Sequence, residues 1–160
     1  MLFGDLPIRE MVVKEEFVKT FVEDNSEEID LSDSITKVLQ HPTVSSKSFL
    51  ITIGDRTVSG MVARDQFVGP FQVPVSNYSL SLRSYTSNKG EVVSIGEKPT
   101  IALLNPAASM RMALGEALTN MSGVVIKGLN NVQVSANWMA SSGENSDDFA
   151  LRSGVEALSK

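Results

Sequence analysis

Glu116 and Asn120 are the residues of this sequence whose type and spacing best suit chemistry. They stand four apart between Asn105 and about Met121, a stretch that is otherwise largely apolar. Ala107, Met110, Leu114, Ala117, Leu118 and Met121 recur at helical spacing, and Met112 and Ala113 make the opposite side apolar as well. Residues four apart on a helix point the same way. A helix apolar nearly all round is expected to be buried, and a buried carboxylate is costly unless a cation or good donors meet it. Two arrangements satisfy that demand. In one, Glu116 pairs with a buried arginine or caps neighbouring amides, and Asn120 supports it. In the other, both side chains lend oxygen to a hard cation such as Mg²⁺, which favours carboxylate, amide and water oxygens. Spacing alone leaves both open.

Other candidates carry less. The stretch Gly54–Pro70, GDRTVSGMVARDQFVGP, lacks the Gly-Lys-Ser/Thr of a P-loop and the G-x-G-x-x-G of a dinucleotide fingerprint. It reads as turn chemistry with Asp55, Arg56, Arg64 and Asp65 in local ion pairs, or with Arg56 or Arg64 turned to a phosphate. His41, the sole histidine, stands beside Pro42 at an expected helix end, which favours a terminal role over catalysis. Trp138 reads as core. Glu23, Asp24, Glu27, Glu28, Asp30 and Asp33 crowd one stretch that reads as a solvated loop and helix start, without a turn glycine to organise a metal site.

These residues need elements to position them. The chain has 160 residues, 42% apolar and 21% charged, which suits one soluble domain. No apolar run approaches a membrane span, and the first residues lack signal-peptide features, so a cytoplasmic location is the default expectation. There is no cysteine, which excludes disulfides, zinc–thiolate sites and thiol nucleophiles. The net charge of −5 argues against a general nucleic-acid surface.

Residues 1–8 read as irregular, and residues 9–22 as a strand or extended arm. Asp30 or Ser32 is expected to cap a short helix with Leu31, Ile35, Val38 and Leu39 on one face, closed by His41-Pro42. Phe49–Ile53 reads as a strand, and residues 54–74 as a short strand with loops. Val75–Tyr85 alternates like a strand with one wet face, Asn88-Lys89-Gly90 reads as a turn, and Glu91–Ile95 as a further short strand or a lead into the helix that follows. Asn105-Pro106 is a good helix start, and Gly123 suits a left-handed exit. Val132–Met139 reads as a strand, and Phe149–Leu158 as the start of a terminal helix. The class is α+β or α/β.

Several blocks in order resemble a known family. Phe49–Val75 (FLITIGDRTVSGMVARDQFVGPFQVPV), Ser94–Pro99 (SIGEKP), Ala113–Asn120 (ALGEALTN) and Ser135–Met139 (SANWM) are similar to phosphoribosylformylglycinamidine synthases of the large single-chain type. Weaker likeness covers LFGDLP near the start and DLSDSITKVLQHPTVSSKSFL before the first block, so the resemblance spans nearly the whole chain.

The resemblance implies an α+β fold, the N-terminal lobe of the second aminoimidazole ribonucleotide synthetase-like half. In it a mixed sheet of about four strands is backed by helices. Residues 1–45 would be a linking arm with the acidic loop and short helix. Residues 46–160 would be the lobe, a single domain truncated at its C-terminal end. The implied reaction is the ATP- and glutamine-dependent conversion of formylglycinamide ribonucleotide to formylglycinamidine ribonucleotide in purine biosynthesis. The implied cofactors are Mg²⁺ and ATP or ADP, and the implied partners are the remaining lobes and a glutaminase domain. On the family motif Glu116 and Asn120 match two metal ligands and Asn77 a third, where the family usually has aspartate. Ser76 matches a nucleotide-contacting position usually held by alanine. A further ligand would lie beyond residue 160. The glutaminase nucleophile is absent, so the fragment alone is expected to be inactive. An open apolar sheet face is expected, and with it sheet-to-sheet self-association. A non-catalytic scaffold module and a stand-alone nucleotide-binding protein are the alternatives.

Overall fold

A computed structural model of the chain describes residues 10, 12–14, 30–53, 60–73, 75–141 and 143–160. The chain divides into two compact units, one of residues 21–96 and 115–126, the other of residues 1–20, 97–114 and 127–160.

The first of these units begins, in its described part, with α1 (Leu31–Gln40). The Asp30 carboxylate accepts the N–H groups of Ser32 and Asp33, two amides the helix leaves unpaired. His41 ends the helix in extended conformation, as the residue before a proline should. Its Nδ1 accepts the N–H of Thr43 at 3.2 Å, the helix-terminal role expected of it. Leu31, Ile35, Val38 and Leu39 share one face, and all four are exposed.

Residues Ser48–Ile53 form a short helix, α2, where β-branched residues predicted a strand. The correction has a local cause. The Ser46 hydroxyl accepts the Ser48 N–H, and Leu50 N–H bonds back to Lys47 C=O at 2.9 Å, so the segment starts a helical turn from its own groups. Strand propensity is expressed only where a neighbouring strand receives the backbone groups.

Three antiparallel strands in the order β1-β2-β3 form the sheet among the described residues: β1 (Val62–Arg64), β2 (Tyr78–Leu82) and β3 (Gly90–Ser94). The fold class is α+β as expected. A fourth strand and a parallel pairing are not present among the described residues. Part of the difference is the segment at Phe49–Ile53, which is helical. β2 and β3 pair in register from Tyr78↔Ser94 to Leu82↔Gly90. Gly90 is required there, because a Cβ would collide with the Ser81 carbonyl. Tyr78, Leu80, Leu82, Val92 and Ser94 are half-buried, while Ser79, Ser81, Glu91 and Val93 are exposed. The alternation expected of Val75–Tyr85 is therefore real, but only Tyr78–Leu82 lies in the ladder. Phe67 pairs with Val75 in an isolated bridge and is the buried hydrophobic side chain among the described residues.

Helix α4 (Pro106–Met121) starts as predicted: the Asn105 side-chain oxygen accepts the Ala108 N–H at 3.0 Å, with Pro106 at the first helical position. Its residues up to Leu114 belong to one unit and those from Gly115 to the other. The expectation of a fully buried helix is corrected, since only Pro106 and Ser109 are buried and Met112 is exposed. Ala113, on the same side as Met112, is half-buried. Gly123 does not take the left-handed conformation expected of it. Its reason is space: a Cβ would lie 2.8 Å from the Tyr78 ring.

In the second unit, α3 (Pro99–Ala102) precedes the first half of α4, and α5 (Asn145–Leu158) closes the chain. The Ser109 hydroxyl, fully buried, donates to the Lys98 carbonyl at 2.6 Å. Gly154 of α5 sits where a Cβ would be 3.0 Å from Met110 and 3.8 Å from the Pro106 carbonyl. Val132–Met139 forms no strand; a 3₁₀ turn at Leu129–Asn131 leads into irregular chain. Trp138 is held there by its indole N–H, 3.1 Å from the Met110 sulfur, rather than by a sheet ladder. The buried Asp148 carboxylate accepts the Gly143 N–H with both oxygens.

The arm expected at residues 9–22 lies outside the described residues except at 10 and 12–14, and so do LFGDLP and the acidic residues before Asp30. No helix among the described residues is long and apolar enough to cross a membrane.

Candidate functional site

The predicted site residues all fall in the unit that holds the sheet. β3 and the second half of α4 are tied together at one end of that sheet by two hydrogen bonds. The Ser94 hydroxyl donates to the Ala117 carbonyl at 2.7 Å. One residue further along, the Ile95 carbonyl accepts from the Asn120 side-chain amide at 2.9 Å. The first bond secures the turn of α4 that contains Glu116, and the second the turn that follows. Glu116 is half-buried, one helical turn before Asn120.

Asn77 reaches the same end of the sheet by a different route. Tyr78 pairs with Ser94, so Asn77 and Ile95 are the next positions beyond that pair. Asn77 is exposed and sits in a bend immediately before β2. The bend is fixed from its N-terminal side, where the Ser76 N–H bonds the Gln66 carbonyl at 2.7 Å. Asn77 lines a groove on the exposed sheet face beside Ile95, and Glu116 and Asn120 do not line that groove.

Asn120 uses its amide group in two halves. One N–H of its NH₂ is spent on the Ile95 carbonyl, and the side-chain oxygen is an acceptor. The candidate ligands are Glu116, which has an interaction of its own, and the amide oxygens of Asn120 and Asn77: hard oxygen groups of the kind Mg²⁺ takes, with a single negative charge among them. Among the described residues no group of three or more His, Cys, Asp or Glu could hold a metal.

Ser76, expected at a nucleotide contact, spends its hydroxyl on the neighbouring backbone: it donates to the Tyr78 carbonyl at 2.7 Å and accepts the Tyr78 N–H at 3.4 Å. Arg64 stands with its guanidinium 5.9 Å from the centre of the Tyr78 ring. It lines a shallow groove of about 390 Å³ on the exposed sheet face, together with Asn77, Ser79, Ser81, Val93 and Ile95. Asp65 accepts the Gln66 N–H, while Asp55 and Arg56 lie outside the described residues. Sequence reasoning missed Ser94 and Ile95. Both lie in the SIGEKP block, but a backbone carbonyl that anchors a distant asparagine has no side-chain signature.

The sequence pattern of the FGAR-AT PurM_N-like domain matches residues 46–160, most of the chain. This chain belongs to that family. Membership brings a ligase and purine-biosynthesis context at a coarse level, and it fits the small α+β architecture of sheet and helices seen here. FGAR-AT domains of this kind belong to a multidomain synthase family, so a fragment of such an enzyme is consistent with the match.

Proposed function

We propose that this FGAR-AT domain is the N-terminal lobe of the second synthetase-like half of a large single-chain phosphoribosylformylglycinamidine synthase. In that role it supplies part of a Mg²⁺–nucleotide site through Glu116, Asn120 and Asn77. The observation that carries the reading is the divided use of Asn120: one N–H of its NH₂ is held by Ile95 and its oxygen is an acceptor, at the sheet end that Asn77 also reaches. A cation bound there would neutralise phosphate charge on ATP or ADP. This chain's own contribution is to present the oxygens and keep them oriented. The glutaminase domain and the remaining lobes would be its partners, and the fragment alone would not run the ligase reaction.

Calorimetric titration of ADP with and without Mg²⁺ tests the site. Glu116→Ala should abolish the Mg²⁺-dependent part of ADP binding while leaving the fold intact by circular dichroism. Unchanged Mg²⁺-dependent binding in that variant would show the assignment to be wrong.

A second reading, a scaffold module that serves assembly, is favoured by a different observation. Val93, Ile95 and the apolar face of α1 are exposed, surface that another domain or copy could cover. Sedimentation separates the two: the scaffold reading requires association that is independent of Mg²⁺ and nucleotide.

A further inference from the structure

We propose that the Ser76 hydroxyl is a positioning group for Asn77, and through it for cation binding at this end of the sheet; this rests on the reading of Asn77 as a ligand. The last β1–β2 pair is Arg64↔Leu80, so Tyr78 lies beyond the reach of β1. Its carbonyl and its N–H are instead both met by one atom, Ser76 Oγ, at 2.7 and 3.4 Å. A hydroxyl is able to do this because it donates and accepts at once. Ser76 is itself half-buried and pinned by its own N–H to Gln66.

Asn77 is enclosed in that loop of bonds. Its backbone is held on both sides, while its side chain makes no hydrogen bond to a described residue and is exposed. The arrangement holds the backbone of a residue whose side chain has no internal task. A neutral amide attracts a cation more weakly than a carboxylate, so its contribution depends on orientation more than on charge. Holding the bend before the cation arrives lowers the ordering cost of binding.

The experiment uses the 160-residue chain and Mn²⁺ as a paramagnetic probe. Broadening of the Asn77 and Asn120 side-chain amide signals is followed by NMR, with the urea midpoint measured in parallel. In the unsubstituted chain both signals should broaden together. Ser76→Ala should raise the Mn²⁺ concentration for half-broadening about three- to tenfold, the scale of one or two lost hydrogen bonds. Ser76→Thr, which keeps the hydroxyl, should restore it. Glu116→Ala should remove the broadening. If Glu116→Ala removes it and Ser76→Ala matches the unsubstituted chain, the positioning role is overturned and the metal site survives. If the unsubstituted chain shows no broadening, or Glu116→Ala has no effect, the metal reading falls and this proposal with it. If Ser76→Ala lowers the urea midpoint and leaves Mn²⁺ affinity unchanged, the hydroxyl serves stability alone and the proposal is overturned.

Discussion

At the scale of single residues, replacing Asn120 by aspartate separates charge from geometry. Aspartate offers the cation more charge, but it has no N–H for the Ile95 carbonyl 2.9 Å away and sets two oxygens against each other. On the proposed Mg²⁺ reading, Asn120→Asp should therefore weaken Mg²⁺ binding by calorimetry, and in either case it should lower stability by roughly 1–3 kcal/mol in urea unfolding. Tighter Mg²⁺ binding would mean that the Ile95 anchor is dispensable. Gly123 is a second residue whose reason lies across space. Gly123→Ala places a methyl 2.8 Å from the Tyr78 ring and should cost about 1–3 kcal/mol. Adding Tyr78→Leu should recover part of that loss, a coupling that a double-mutant cycle measures. The spacing of Glu116 and Asn120 was legible in the chain. The partners of Asn120 and Gly123 were not, because a backbone carbonyl and a ring from other segments leave no local pattern.

At the scale of elements, local chemistry was the reliable guide. The cap at Asp30 (one of two candidates with Ser32), the stop at His41-Pro42 and the Asn105-Pro106 start all depend on groups within a few residues, and these were readable. Elements that need a distant neighbour were read less well. Phe49–Ile53 and Val132–Met139 have strand-like composition, and neither pairs in the sheet. Helix α5 carries a titratable local pair. The Arg152 guanidinium bonds Glu156 at 2.8 Å and holds its carboxyl below its ordinary 4.5. A lowered folded value means that the pair's contribution is fully present above pH 4.5 and is lost as the pH falls through the lower folded value. Both side chains are more than half exposed, so salt screens the pair. Acid titration followed by circular dichroism should show a slightly smaller loss of α5 helicity below pH 4.5 in Glu156→Gln than in the unsubstituted chain, with no difference in high salt.

At the scale of the whole molecule, exposed apolar surface is the feature that demands a partner. Val93 is 61% and Ile95 76% exposed on the open side of the sheet, and the α1 face is comparably open. In a synthase of several domains such faces are surfaces for other domains to cover. Alone, the chain should associate as its concentration rises, and Val93→Lys with Ile95→Lys should shift sedimentation towards monomer. Strict monomers at millimolar concentration in the unsubstituted chain would refute this expectation.

The sequence by itself determined a mix of helices and strands, the start and stop of the helix at Leu31–Gln40, the start of the helix at Pro106–Met121, and the placing of Glu116 with Asn120 on one helical face. These follow from neighbours along the chain, where period and capping chemistry act over a few residues. Only the tertiary structure decided that Ile95 holds Asn120, that Ser76 clasps Tyr78 around Asn77, and that α4 is half open rather than buried. Those outcomes depend on which backbone groups meet across the sheet and which apolar faces find cover, and neither is encoded by any single stretch of residues.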